Sequence, residues 1–124
     1  MFGNVDNDST IAREEVFGPV LCVIPAKDEA QAVELANDTV FGLNNSVFTN
    51  DPERAYQVAR QLRSGTVGHN VFRSDMSIGF GGFKQSGVGR EGGVDGLRSY
   101  LENKTIILKE LPSHVKDPAA KVWS

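Results

Sequence analysis

The stretch SVFTNDPERAYQVARQLRSGTV, Ser46 to Val67, decides the fold. Ser46 to Thr49 suit a strand. Asp51 then offers an N-cap, Pro52 fits the first helical turn, and Glu53 meets the positive end of the helix dipole. Ala55, Val58, Ala59 and Leu62 follow at i, i+3, i+4 and i+7, which is one face of a helix. Ser64-Gly65 closes it, with glycine where the chain leaves helical geometry. Thr66 and Val67 begin another strand. A strand, a helix and a strand in this order form a β-α-β unit.

The same alternation extends toward the N-terminus. Val20 to Ile24 reads VLCVI, a continuous apolar run that suits a strand covered on both faces of a parallel sheet. Asp28 caps a helix, and Gln31 three residues on resembles the second half of a capping box. Ala32, Val33, Leu35 and Ala36 form its expected buried side, and Asn37-Asp38 close it. The pattern is β-α-β-α-β, an α/β fold with a parallel sheet.

Toward the C-terminus the pattern breaks. Seven of the 13 glycines lie between Gly79 and Gly93. A loop of about 20 residues, Ser74 to Gly93, is uncommon in a compact domain and is usually functional or disordered. A short helix from about Val94 to Leu101 follows. Thr105 to Leu108 reads TIIL, an expected strand with no sequential partner. The tail, Leu111 to Ser124, is expected to be poorly ordered unless a partner surface holds it. No internal repeat is visible.

Composition excludes several classes of function. The chain has 124 residues, 40 % apolar and 23 % charged, with a net charge of -3. The basic residues form no stripe, so neither nucleic acid nor an anionic membrane is an expected partner. No basic and apolar leader opens the chain, and VLCVI is far too short to span a bilayer. The single cysteine, Cys22, excludes an internal disulfide framework and fits a reducing compartment. A cytoplasmic protein is the expectation.

The glycine loop contains GVGREG, Gly87 to Gly92, which fits G-x-G-x-x-G. That fingerprint binds a dinucleotide only when it follows a strand and opens a helix. Here GFGGFKQS precedes it, and the acidic residue due about 20 residues later would be Glu110, where no second strand of a β-α-β unit ends. The glycines are better read as permitting sharp turns and close backbone approach. Val88 after Gly87 also breaks a phosphate-loop pattern. His69 and His114 lie far apart without partner motifs, so no metal site is expected. Ser86 lacks the G-x-S-x-G context, because Lys84 holds the first glycine position. Cys22, inside an apolar run, reads as structural. Arg13-Glu14-Glu15 followed by Val16-Phe17-Gly18-Pro19 has two readings. It is a solvated helix end with a packing Phe, or a carboxylate and an aromatic that share a crevice at a strand end. An ionised Glu there could accept two hydrogen bonds from a vicinal diol.

The phrase TIAREEVFGPVLCVIPAKDEAQAVELANDTVFGLNNSVFT resembles the C-terminal part of the aldehyde dehydrogenase superfamily. The resemblance continues through AYQVARQLRSGTVGHN, GFGGFKQSGVGREGG and GLRSYLENKTIILKE, and covers roughly Phe2 to Glu110. It implies that residues 1–102 are part of a catalytic domain, 103–110 an oligomerisation strand and 111–124 a tail. It implies that Glu15 holds the hydroxyls of the nicotinamide ribose and that Phe17 lies beside the nicotinamide ring of NAD or NADP. Asn70 is implied near the substrate, Phe80 in the substrate tunnel, and Glu91 in accessory movement of water or protons. Arg90 and Glu102 resemble a subunit-contact network. Thr105, Ile106, Ile107 and Leu108 resemble the strand that adds to a neighbouring subunit's sheet in a homo-oligomer.

The family reaction oxidises a small-molecule aldehyde to an acid. A thiolate adds to the carbonyl, a hydride passes to NAD(P)+, and water releases the thioester. The family's nucleophilic Cys, general-base Glu, oxyanion-hole Asn and dinucleotide-binding domain lie upstream of the matched stretch, and Cys22 does not match the nucleophile motif. Met1 falls just before a stretch that resembles the middle of the family's chain. The expectation is a fragment inactive on its own. The alternative is a non-catalytic module that pairs with itself or with an intact homologue. Arg73, Ser74 and Asp75 stand where aromatics can occur, so the aldehyde is not specified.

Overall fold

The computed structural model describes residues 1–73, 75–110 and 112–114. The elements are α1 (Thr10–Arg13), α2 (Glu29–Asn37), β1 (Asn44–Val47), α3 (Pro52–Ala59), β2 (Thr66–His69), a 3-10 turn (Lys84–Ser86) and α4 (Gly93–Arg98). None of the described helices is long and apolar enough to cross a membrane.

The β-α-β unit forms. β1 and β2 pair in parallel, from Asn44 opposite Thr66 to Val47 opposite His69. α3 makes the crossover. The Asp51 carboxylate accepts from the N–H groups of Glu53 at 2.9 Å and Arg54 at 3.2 Å, filling two donors that a helix start leaves open. Ala55 and Val58 are the apolar residues buried beneath it, at 4 % and 8 % exposure. The helix stops at Ala59, before the expected end. Gln61 and Leu62 instead donate to carbonyls three residues back, a tightened last turn that still leaves Leu62 half-buried.

α2 starts where the cap predicts. Asp28 accepts from the Gln31 N–H at 2.8 Å. The Gln31 side chain returns the bond one residue early, accepting from the Lys27 N–H at 2.8 Å. Val33, Leu35 and Ala36 are half-buried, but Ala32 is exposed. Ala32, Val33 and Ala36 line an open groove of about 450 Å³ with Val47, Val58 and Leu62. The apolar stripe is real, and the described residues cover it only in part.

One expected strand is reduced to a bridge, and a second, expected to lack a partner in its own chain, makes no ladder among the described residues. Val20 to Ile24 makes a single parallel bridge, between Cys22 and Phe2, with Val20, Leu21 and Val23 exposed. Thr105 to Leu108 makes no ladder among the described residues, and Ile107 is 92 % exposed. An apolar run reports a segment suited to burial, but a strand exists only where a second backbone supplies its hydrogen bonds. The C-terminal helix is also shorter than expected, and ends at Arg98. Most of the expected tail falls outside the described residues.

The glycine-rich segment is built rather than loose. Phe80 and Glu91 exchange backbone hydrogen bonds of 2.7 and 2.8 Å, an antiparallel bridge that closes the segment on itself. The Phe83 N–H donates to the Gly42 carbonyl at 2.8 Å, which also accepts from Gly65 at 3.0 Å. The segment therefore lies directly on the β-α-β unit. A methyl group at Gly65 would stand 1.5 Å from the Gly81 carbonyl oxygen, whereas one at Gly18 would meet nothing within 4 Å. Gly65→Ala is therefore expected to cost about 1–3 kcal/mol or more, as overpacking does. Gly18→Ala, at an open position, is expected to leave the midpoint almost unchanged, and thermal unfolding followed by circular dichroism reads both.

Candidate functional site

α1 ends at Arg13, and Glu14 already has extended backbone. This turns the chain outward through Glu15 to Gly18. Glu15 is exposed and borders a cleft of about 520 Å³ with Ala12, Phe41 and Gln85. No ion pair to another described residue engages its carboxylate. Phe17 is 95 % exposed, so it is not the packing residue of the plainer sequence reading. A carboxylate with open acceptor positions and an uncovered ring two residues on fit a bound diol and a planar heterocycle.

Phe80 and Glu91, joined by their bridge, border a second crevice of about 800 Å³ together with Met76, Leu97 and Tyr100. Leu43 and Ser86 line both hollows and form their common wall. The fold thus brings Glu15 to one side of a wall and Phe80 with Glu91 to the other. Ser86 is fixed there because its hydroxyl accepts from the Gly42 N–H at 2.9 Å. That role follows from tertiary placement, and no local pattern around Ser86 announces it.

Asn70 lines neither hollow. It follows β2 at φ 54, in the left-handed region that Asn tolerates better than most residues. Its amide works as an extra rung of the sheet. The side-chain oxygen accepts from the Thr49 N–H at 2.9 Å, and the side-chain nitrogen donates to the Thr49 carbonyl at 2.7 Å. Asn70→Asp would lose that donor and set a carboxylate oxygen against the Thr49 carbonyl. The expected cost is about 1–3 kcal/mol, with faster hydrogen exchange at the Thr49 amide as the specific sign.

Arg90 holds its own loop. Its guanidinium donates to the carbonyls of Gly89 at 2.6 Å and Gly82 at 3.1 Å, and lies 5.4 Å from the centre of the Phe83 ring. Among the described residues it makes no ion pair with Glu102, which is exposed. Cys22 is half-buried, with its sulfur 3.6 Å from the Ile11 carbonyl. The described residues contain no cluster of three His, Cys, Asp or Glu that could hold a metal.

Arg13, which the sequence shows only as part of a charged run, reaches across to the end of α2. Its guanidinium donates to the Asp38 carboxylate at 2.7 Å, to the Asp38 carbonyl and to Asp8. The Arg13 side-chain hydrogen bond holds the Asp38 carboxyl below the usual carboxylate range. A depressed folded-state value stabilises the fold above the unfolded value, and that contribution is lost as pH falls through the folded one. Acid unfolding should therefore begin at higher pH in Asp38→Asn, which lacks the contribution at every pH. A titration of ellipticity between pH 6 and pH 2 checks the order of the two curves.

A profile of the aldehyde dehydrogenase family matches residues 1–106. Betaine aldehyde dehydrogenase of Sinorhizobium fredii is 50 % identical over 107 residues, which is 86 % of this chain and 22 % of that protein. Geranial dehydrogenase of Castellaniella defragrans is 45 % identical over 108 residues, 87 % of this chain and 23 % of that protein. The crystal structure of Mycobacterium tuberculosis aldehyde dehydrogenase complexed with NAD+ superposes with a TM-score of 0.83 at 44 % identity, covering 86 % of this chain and 22 % of that one. The chain thus spans about a fifth of the length of these relatives. The parallel β-α-β unit, the glycine-rich segment laid upon it and a match over 106 residues lead to one conclusion: this chain belongs to the aldehyde dehydrogenase family.

Proposed function

We propose that the chain forms the nicotinamide-side and tunnel-side part of an NAD(P)+-dependent aldehyde dehydrogenase that oxidises an aldehyde to a carboxylic acid. The observation that carries this is the close superposition on a relative's structure complexed with NAD+. NAD+ would supply the hydride acceptor. Glu15 would accept hydrogen bonds from the ribose hydroxyls, and its exposed carboxylate, which forms no ion pair among the described residues, suits that task. Phe17 would cover one face of the nicotinamide. Phe80 and Asn70 would border the aldehyde's path, Phe80 directly and Asn70 by fixing the ends of β1 and β2. Glu91 would hold or pass a proton at the crevice that it shares with Phe80.

Among the described residues no cysteine, serine or threonine side chain is hydrogen-bonded to a histidine base that would activate it. Cys22 is the chain's one cysteine, and its sulfur faces a backbone carbonyl. Purified alone, the chain is expected to form no NADH from any aldehyde, and turnover abolished by Cys22→Ser would overturn that assignment. The exposed Ile106, Ile107 and Leu108 favour a role for Thr105 to Leu108 as an edge that pairs with a second copy.

Exchange of residues 1–106 for the matching segment of the Mycobacterium tuberculosis enzyme tests the reading. The exchanged enzyme is expected to oxidise aldehydes with NAD+. Glu15→Gln in it should raise KM for NAD+ roughly tenfold to a hundredfold, the value of charge-assisted hydrogen bonds. A folded exchange enzyme with no affinity for NAD+ would refute the proposal.

A further inference from the structure

We propose that the C-terminal end of α2 is a hub through which Arg13 and Lys84 act as positioning residues. They set the Glu15–Phe17 segment against the Phe80–Lys84 segment. The inference rests on the function proposed above for those two segments.

A helix ends in carbonyls without intrahelical partners, and the end carries partial negative charge. Here three consecutive carbonyls are taken by two cations. The Lys84 ammonium donates to the Asn37 carbonyl at 3.0 Å and the Thr39 carbonyl at 2.9 Å. The Arg13 guanidinium donates to the Asp38 carbonyl between them. It also holds the Asp38 carboxylate, to which the Asn7 amide donates at 2.9 Å. The Asn37 side chain ties the same point to the chain after α3. It donates to the Gln61 carbonyl at 2.8 Å and accepts from the Arg63 N–H at 2.7 Å.

The two cations come from distant places. Arg13 is 25 residues from Asp38, and Lys84 is 47 residues from Asn37. Arg13 stands two residues before Glu15, and Lys84 follows Phe83 in the segment that begins at Phe80. Lys84 has φ 55, a left-handed conformation that a residue with a side chain adopts at a cost. The two bonds from its ammonium hold the backbone there. The Arg13 fork reaches three acceptors from two separate nitrogens held in one plane, a spread that the single nitrogen of a lysine does not match.

The experiment uses the exchanged enzyme carrying residues 1–106. Arg13→Met is expected to weaken NAD+ binding roughly tenfold, read by calorimetric titration, and to raise KM for NAD+ while kcat changes little, because a loosened Glu15 loses part of a charge-assisted hydrogen bond to the ribose. Lys84→Met should lower kcat/KM for the aldehyde by a similar factor. Lys84→Arg should recover most of the loss, and Lys84→Gly, which frees the backbone but removes the donor, should not. Hydrogen exchange is read in the same proteins at residues 15–18 and 83–85. Either replacement should lower protection in both segments. Where a Met variant fails to fold, Arg13→Lys serves, with a smaller loss in the same direction. Loss of protection confined to the mutated segment, or NAD+ affinity unchanged in folded Arg13→Met, overturns the hub. A parent enzyme that binds no NAD+ refutes the proposed function instead, and leaves hydrogen exchange to decide the hub.

Discussion

The carbonyl of Gly42 accepts two N–H groups, from Gly65 at 3.0 Å and from Phe83 at 2.8 Å. The rest of the structure depends on that shared acceptor. One bond leads into the β1–β2 pairing, and the other fastens the glycine-rich segment to it. The position also demands glycine, because a methyl group there would lie 2.7 Å from the Arg63 carbonyl oxygen. The small β-α-β unit and the long segment after it therefore share one backbone junction. The hollow that borders Glu15 and the one that borders Phe80 and Glu91 share a wall beside that junction, at Leu43 and Ser86.

The burial explains why this junction must be made of hydrogen bonds. Ala55 and Val58 are the buried hydrophobic side chains among the described residues, while Phe17, Val88, Ile107 and many others are open to solvent. Backbone bonds, caps and the cations at the end of α2 therefore carry a larger share of the organisation than apolar packing does in an ordinary domain. The uncovered faces are consistent with a segment that spans about a fifth of its relatives.

The local part of the fold was legible because its signals are local. Asp51 with Pro52, Asp28 with Gln31, and the Ala55–Val58 spacing each act within one turn of chain, and each is met. VLCVI misled because apolarity records the neighbours a segment suits, whereas a strand needs a ladder and Phe2 supplies a single bridge; TIIL, expected to lack a partner in its own chain, makes no ladder among the described residues. The site divides in the same way. The run Glu15 to Phe17 is visible in the sequence as a local motif, and the structure leaves it exposed. The long reach of Arg13 to Asp38, the strained Lys84 and the Asn70–Thr49 rung join residues 21 to 47 apart, and no periodicity encodes such pairings.

The most direct test of the account is a crystal structure of the exchanged enzyme with NAD+ bound. The account predicts the Glu15 carboxylate within hydrogen-bond distance of the ribose hydroxyls, Phe17 against the nicotinamide, and Gly42 still joining Gly65 to Phe83. A cofactor whose ribose hydroxyls bond elsewhere, with Glu15 left in solvent, would contradict it.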